Sequence, residues 1–69
     1  MFGMKPKIGK EIKDTKREYF GDRGTISDYR VFPKAGKEYV VVQWDEDSKH
    51  GDSFGQYKKE EFGRRFQYI

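Results

Sequence analysis

The stretch Glu38-Tyr39-Val40-Val41-Val42-Gln43-Trp44 decides the fold. Three consecutive β-branched residues between two rings suit a pleated strand and disfavour a helix, where valine loses χ1 freedom. Alternation puts Val40, Val42 and Trp44 on one face and Tyr39, Val41 and Gln43 on the other. The Val-Val-Trp face is read as core, and the Tyr39–Gln43 face as a candidate exposed surface.

Working outward, Pro33-Lys34-Ala35-Gly36-Lys37 is a turn, and Thr25 to Phe32 is the strand before it. Simple alternation there puts Ile26 and Phe32 on one face and Tyr29 and Val31 on the other. The break in hydrophobic parity predicts a bulge or sharp bend near Ser27-Asp28. Further upstream, Lys10 to Thr15 reads as a first short strand with Ile12 as its core residue. Lys16 to Gly24 reads as a connecting loop, with Gly21 and Gly24 supplying positive φ. Downstream, Asp45 to Asp52 is a polar loop and Ser53 to Tyr57 a fourth strand. Lys58 to Phe62 suits one turn of 3₁₀ helix that Gly63 breaks, and Arg64 to Ile69 closes as a last strand. The expected core is Ile12, Ile26, Val40, Val42, Trp44, Phe54, Phe62 and Phe66.

Composition agrees with an all-β reading. The chain has 69 residues, which bounds it to one small domain. Residues 1–9 read as a basic extended lead-in and residues 10–69 as the domain. Only 33% of residues are hydrophobic and 39% are charged, a balance that leans toward disorder. Six Phe, five Tyr and one Trp offset it, because each ring buries about 150–250 Å². Leucine is absent and alanine occurs once, so a helix bundle or coiled coil is excluded. The absence of cysteine rules out a disulfide framework and thiolate metal sites. It also fits a reducing, cytoplasmic setting. Met1 to Ile8 contains no apolar run of signal-peptide length, so no secretory leader is expected.

Three segments carry a family resemblance that covers residues 8–69. Gly21-Asp22-Arg23-Gly24-Thr25-Ile26 resembles the Gly-x-x-Gly-x-(Val/Ile) step of KOW and Tudor-type barrels. Tyr39 to Asp45 resembles the central strand of Mind bomb/HERC-type domains, which reads as valines followed by Gln-Trp-Asp. The helical turn Lys58 to Phe62 before a last strand resembles the photosystem I reaction-centre subunit IV (PsaE-type) barrel. Together they imply a single SH3-like β-barrel of about five short strands, with one 3₁₀ turn before the last. The fold hosts many unrelated functions, so activity has to be read from the site.

The net charge of +3 is unevenly distributed. Both ends of the chain are basic, and the loop from Asp45 to Asp52 is acidic. If the ends lie together, Lys16, Arg17, Arg23, Arg30, Lys34, Arg64 and Arg65 form a basic face flanked by rings. Such a face neutralises phosphates, and its rings stack on unpaired bases. The leading expectation is therefore a non-enzymatic protein that binds DNA or RNA. The alternative is an adaptor or regulatory subunit docking on a larger protein assembly, through a groove formed by Tyr19, Tyr39, Trp44 and Tyr57 beside the acidic loop. Parity places Trp44 in the core; the alternative is that its place at the strand end lets it reach the groove edge. The rings must also supply most of the core, so at most about five of them are free for a partner.

Catalysis is not expected. His50 is the only histidine, no cysteine nucleophile exists, and Ser48 and Ser53 share its polar loop. The acidic loop lacks the glycine and the bidentate glutamate of an EF-hand, so it reads as solvated and not as a metal site. No cofactor, membrane partner or small-molecule substrate is implied.

Overall fold

A computed structural model describes residues 6–69. The first five residues of the lead-in lie outside them. Five antiparallel strands form one sheet: β1 (Glu11–Asp14), β2 (Arg23–Phe32), β3 (Lys37–Trp44), β4 (Phe54–Lys58) and β5 (Phe66–Tyr68). Their order across the sheet is β4-β3-β2-β1-β5, so the last strand returns beside the first. A 3₁₀ turn (Arg17–Tyr19) lies between β1 and β2, and helix α1 (Lys59–Arg65) lies between β4 and β5.

The central ribbon is β2 with β3, and the expected irregularity is present. Pairing runs Ile26 to Val42 and then Asp28 to Val41, so Ser27 is the extra residue of a bulge. The bulge reverses the parity beyond it. Tyr29, opposite Val40, joins Ile26 on the core side, and Phe32 turns to the solvent side with Tyr39. Simple alternation had put Ile26 and Phe32 on one face, and the bulge separates them.

The core is Ile12, Ile26, Val40, Val42, Trp44, Phe62 and Phe66, packed with half-buried Tyr29, Tyr57 and Tyr68. Rings therefore fill much of it, as the missing leucine requires. Phe54 is the correction. It is 52% exposed, because β4 pairs it with Gln43 on the outer face of β3. Gly55 and Tyr57 take the inward positions of β4, and a Cβ at Gly55 would collide with the Tyr57 ring.

The helix is also longer than expected. It passes through Gly63 to Arg65 as an α-helix, at a propensity cost of about 1 kcal/mol. Phe62 is fully buried, Glu60 and Glu61 sit in the first turn, and Arg64 and Arg65 sit in the last. Burial and a favourable charge order along the helix dipole outweigh one glycine. Gly21 has positive φ, but Gly24 does not. Gly24 lies inside β2 because a Cβ there would come within 2.8–2.9 Å of Val42, Gln43 and Trp44.

No helix among the described residues is long and apolar enough to cross a membrane. Trp44→Ala and Phe62→Ala are each expected to cost about 3–5 kcal/mol, most of the stability of a small domain. Phe54→Ala is expected to change it by under about 1 kcal/mol. Urea denaturation midpoints of the three variants check this ranking.

Candidate functional site

Two clusters of chemically active side chains stand out, one on each side of the sheet. The inner cluster begins with β1. Asp14 follows Ile12 by two residues, so it points to the same buried side and is 1% exposed. A buried carboxylate needs a counter-charge. Arg65, at the end of α1, supplies it through Nε to Oδ1 at 2.8 Å and Nη2 to Oδ2 at 2.7 Å. This is a bidentate pair, the strongest geometry for these groups. The Lys16 backbone N–H also donates to Oδ1, at 2.9 Å. Arg65 donates onward to Glu61 at 3.0 Å.

His50 completes the cluster from the long loop between β3 and β4. Its Nε2 lies 3.1 Å from Asp14 Oδ2, and its Nδ1 lies 2.9 Å from Asp22 Oδ2. The ring stacks between Tyr19, at 3.9 Å, and Trp44, at 3.7 Å between centroids. Asp22 also accepts the Lys49 backbone N–H at 2.6 Å. The loop expected to be solvated is thus pinned at one point. Asp45, Glu46, Asp47 and Asp52 are exposed, while the His50 side chain is only 9% exposed. Trp44 Nε1 donates to Tyr57 Oη at 3.2 Å. Of the expected groove residues, Tyr19, Trp44 and Tyr57 therefore do converge, but His50 fills the space between Tyr19 and Trp44. Tyr39 stands apart, on the other side of the sheet. Among the described residues no group of His, Cys, Asp and Glu side chains is arranged to hold a metal.

The outer face is built from the opposite parity. Arg30 and Tyr39 are opposite each other, as are Phe32 and Lys37, and Tyr39 also faces Lys58 of β4. Phe32 is 47% exposed and packs its edge against Tyr39 at 5.8 Å. Phe54 lies at the other end of this face. Arg30 Nε pairs with Asp28 at 3.2 Å, and its Nη1 donates to Gln56 Oε1 at 3.3 Å. By register the outward charges on this side are Lys13, Arg23, Arg30, Lys37 and Lys58 against Glu11 and Asp28, and the acidic loop Asp45 to Asp47 borders Thr25 and Gln43 near Phe54.

The expected basic residues do not share one face. The first and last described segments do meet, since β1 pairs with β5 and the Lys7 backbone N–H donates to Tyr68 Oη. Lys16 and Arg17 lie near Arg64, because the Thr15 N–H bonds the Arg65 carbonyl. Lys34, however, is in the hairpin turn. It is about 30 Å from Arg23, given ten strand residues at about 3.3 Å each. Arg65 points inward and is consumed by Asp14 and Glu61. Sequence reading missed Asp14, Asp22 and His50. The spacing of Asp14 from Ile12 was the available signal for the first.

No family model, curated protein or solved structure matches the chain.

Burial pushes the Asp14 carboxyl up, but the Arg65 hydrogen bonds and the Lys16 N–H outweigh it, and the net result is below its ordinary 3.8. The unfolded chain therefore takes up this proton first. The stability contributed by Asp14 is complete above about pH 4 and is lost as pH falls through the lowered value. Burial, first of all, raises the Tyr57 hydroxyl above 10.0, so it stays a neutral partner for Trp44 at neutral pH. Arg65→Ala would leave Asp14 buried without its bidentate cation, with only the Lys16 N–H and His50 beside it, an expected loss of about 3–5 kcal/mol at pH 7. Urea titrations at pH 7 and pH 3 check this, with the loss shrinking at pH 3 as Asp14 is neutralised. In His50→Ala the Lys49 amide is expected to exchange with solvent faster than in the wild type, read by hydrogen-exchange NMR.

Proposed function

We propose that this protein binds nucleic acid through the outer face of its sheet and has no catalytic role. The carrying observation is the set Phe32, Tyr39 and Phe54, three rings on the solvent side, the first two flanked by Arg30, Lys37 and Lys58 and the third across the Arg30 hollow from them. The inner side already holds a complete core, so packing does not account for these rings. Half-exposed rings among cations suit a polyanion that also carries flat bases. This reading moves the interface from the loop and terminal cations to the sheet, and keeps only Arg30 of the expected set.

The non-enzymatic part rests on His50. Both of its ring nitrogens face carboxylates and both of its ring faces are covered, which leaves no position for a general base to reach a substrate. The finer fold reading is an SH3-like barrel. It is supported by the strand order, with β5 beside β1, by the bulged β2 shared between β1 and β3, and by the helical segment just before β5. Absence of cysteine supports a reducing, cytoplasmic setting.

The test is a binding titration against DNA and RNA across a salt series. Affinity is expected to fall as salt rises, with a log–log slope reduced by about 2 when Arg30, Lys37 and Lys58 are all changed to Ala. A salt-independent affinity, or a stoichiometric protein partner that survives nuclease during co-purification, would favour the adaptor reading.

A further inference from the structure

The outer face is not flat. Between the Phe32–Tyr39 pair and Phe54 lies a concavity of about 420 Å³, lined by Ser27, Asp28, Arg30, Val41, Phe54 and Gln56. Its floor is apolar, because Val41 is only 9% exposed. Its walls carry hydrogen-bonding groups of both kinds. Asp28 accepts, Arg30 donates, and the Gln56 amide does both. Arg30 is held across it by Asp28 and Gln56, at 3.2 and 3.3 Å.

Spacing along β3 sets the scale. Phe54 is opposite Gln43, and Lys58 is opposite Tyr39, four residues away or about 13 Å. Two aromatic platforms therefore flank a polar-walled, apolar-floored hollow. Resting on the reading of this face as a nucleic-acid interface, we propose that its ligand is an unpaired strand of about three nucleotides. One base stacks on Phe54, the next lies over Val41 with its edge toward Gln56 and Asp28, and the third meets the Phe32–Tyr39 pair. Arg30, Lys37 and Lys58 meet the phosphates. A duplex cannot use this hollow, because its base faces are already stacked and its pairing edges are engaged.

The experiment is fluorescence anisotropy at low salt with labelled single-stranded DNA, single-stranded RNA, and the same sequences as duplexes. Wild type is compared with Phe54→Ala and Gln56→Ala. Phe54 is half exposed, so its variant is expected to keep the wild-type melt, and thermal unfolding verifies this. Single strands are expected to bind more tightly than duplexes. Phe54→Ala is expected to weaken single-strand binding by about 5- to 150-fold, with duplex binding unchanged. Gln56→Ala is expected to narrow the differences among homopolymers of different base. Single-strand and duplex binding that are equal and indifferent to Phe54→Ala would overturn this inference, while salt-sensitive binding would still support the face as an interface. No binding to any of the four probes would overturn both.

Discussion

A carboxylate with no access to water organises half of this molecule. Asp14 sits on the same side of β1 as Ile12, so the strand cannot bury one without the other. Each of its partners comes from a different part of the chain: Arg65 from α1, the Lys16 amide from the turn after β1, and His50 from the loop after β3. The guanidinium lies 5.0–5.5 Å from the ring centres of Tyr19, Tyr57 and Phe66, so the same cation also knits the rings together. A small domain without disulfides has few ways to fix the relative placement of loops, helix and sheet. Here one buried carboxylate ties that placement together, because its partners come from the turn, the helix and the loop at once.

That arrangement leaves the other side of the sheet free of structural duties. The rings inside are committed to packing, while Phe32 and Phe54 lie half exposed on the outside. Electrostatically the two sides differ too. Inside, the one guanidinium of Arg65 is held by Asp14 and Glu61, with His50 between Asp14 and Asp22; outside, the cations outnumber the carboxylates Glu11 and Asp28.

Much of the fold was legible in the sequence, and the failures have specific causes. The valine run located β3, and the parity break located the bulge at Ser27. Seven of the eight expected core residues are buried. Phe54 lies outside the core because strand parity, and not aromatic character, decides which way a ring on β4 faces. With Tyr57 facing inward, Phe54 three residues earlier had to face outward. The end of α1 failed because glycine was read as a stop, whereas Phe62 burial and the Glu61–Arg65 contact hold the helix through it. The inner cluster was least legible. Asp14, Asp22, His50 and Arg65 are far apart in sequence and ordinary in type, and only the tertiary fold makes them neighbours. His50 in particular lies in a run of polar residues whose other members are solvated.

The extra residue at Ser27 has a further meaning for how this chain varies. A regular strand ties its two faces together, since any shift in register moves every side chain at once. With the bulge, the part of β2 before Ser27 is indexed to β1 and the core, while the part after it is indexed to the outer hollow and the hairpin tip. Without the bulge, a regular strand of the same sequence would send Arg30 and Phe32 inward and bring Tyr29 and Val31 out, whereas deletion of Ser27 would pair Asp28 with Val41 directly after Ile26 with Val42 and keep each on its present face. The outer surface thus depends on two residues of β2 standing against one of β3 at this point, and the count of residues in the strand carries as much information as their kind.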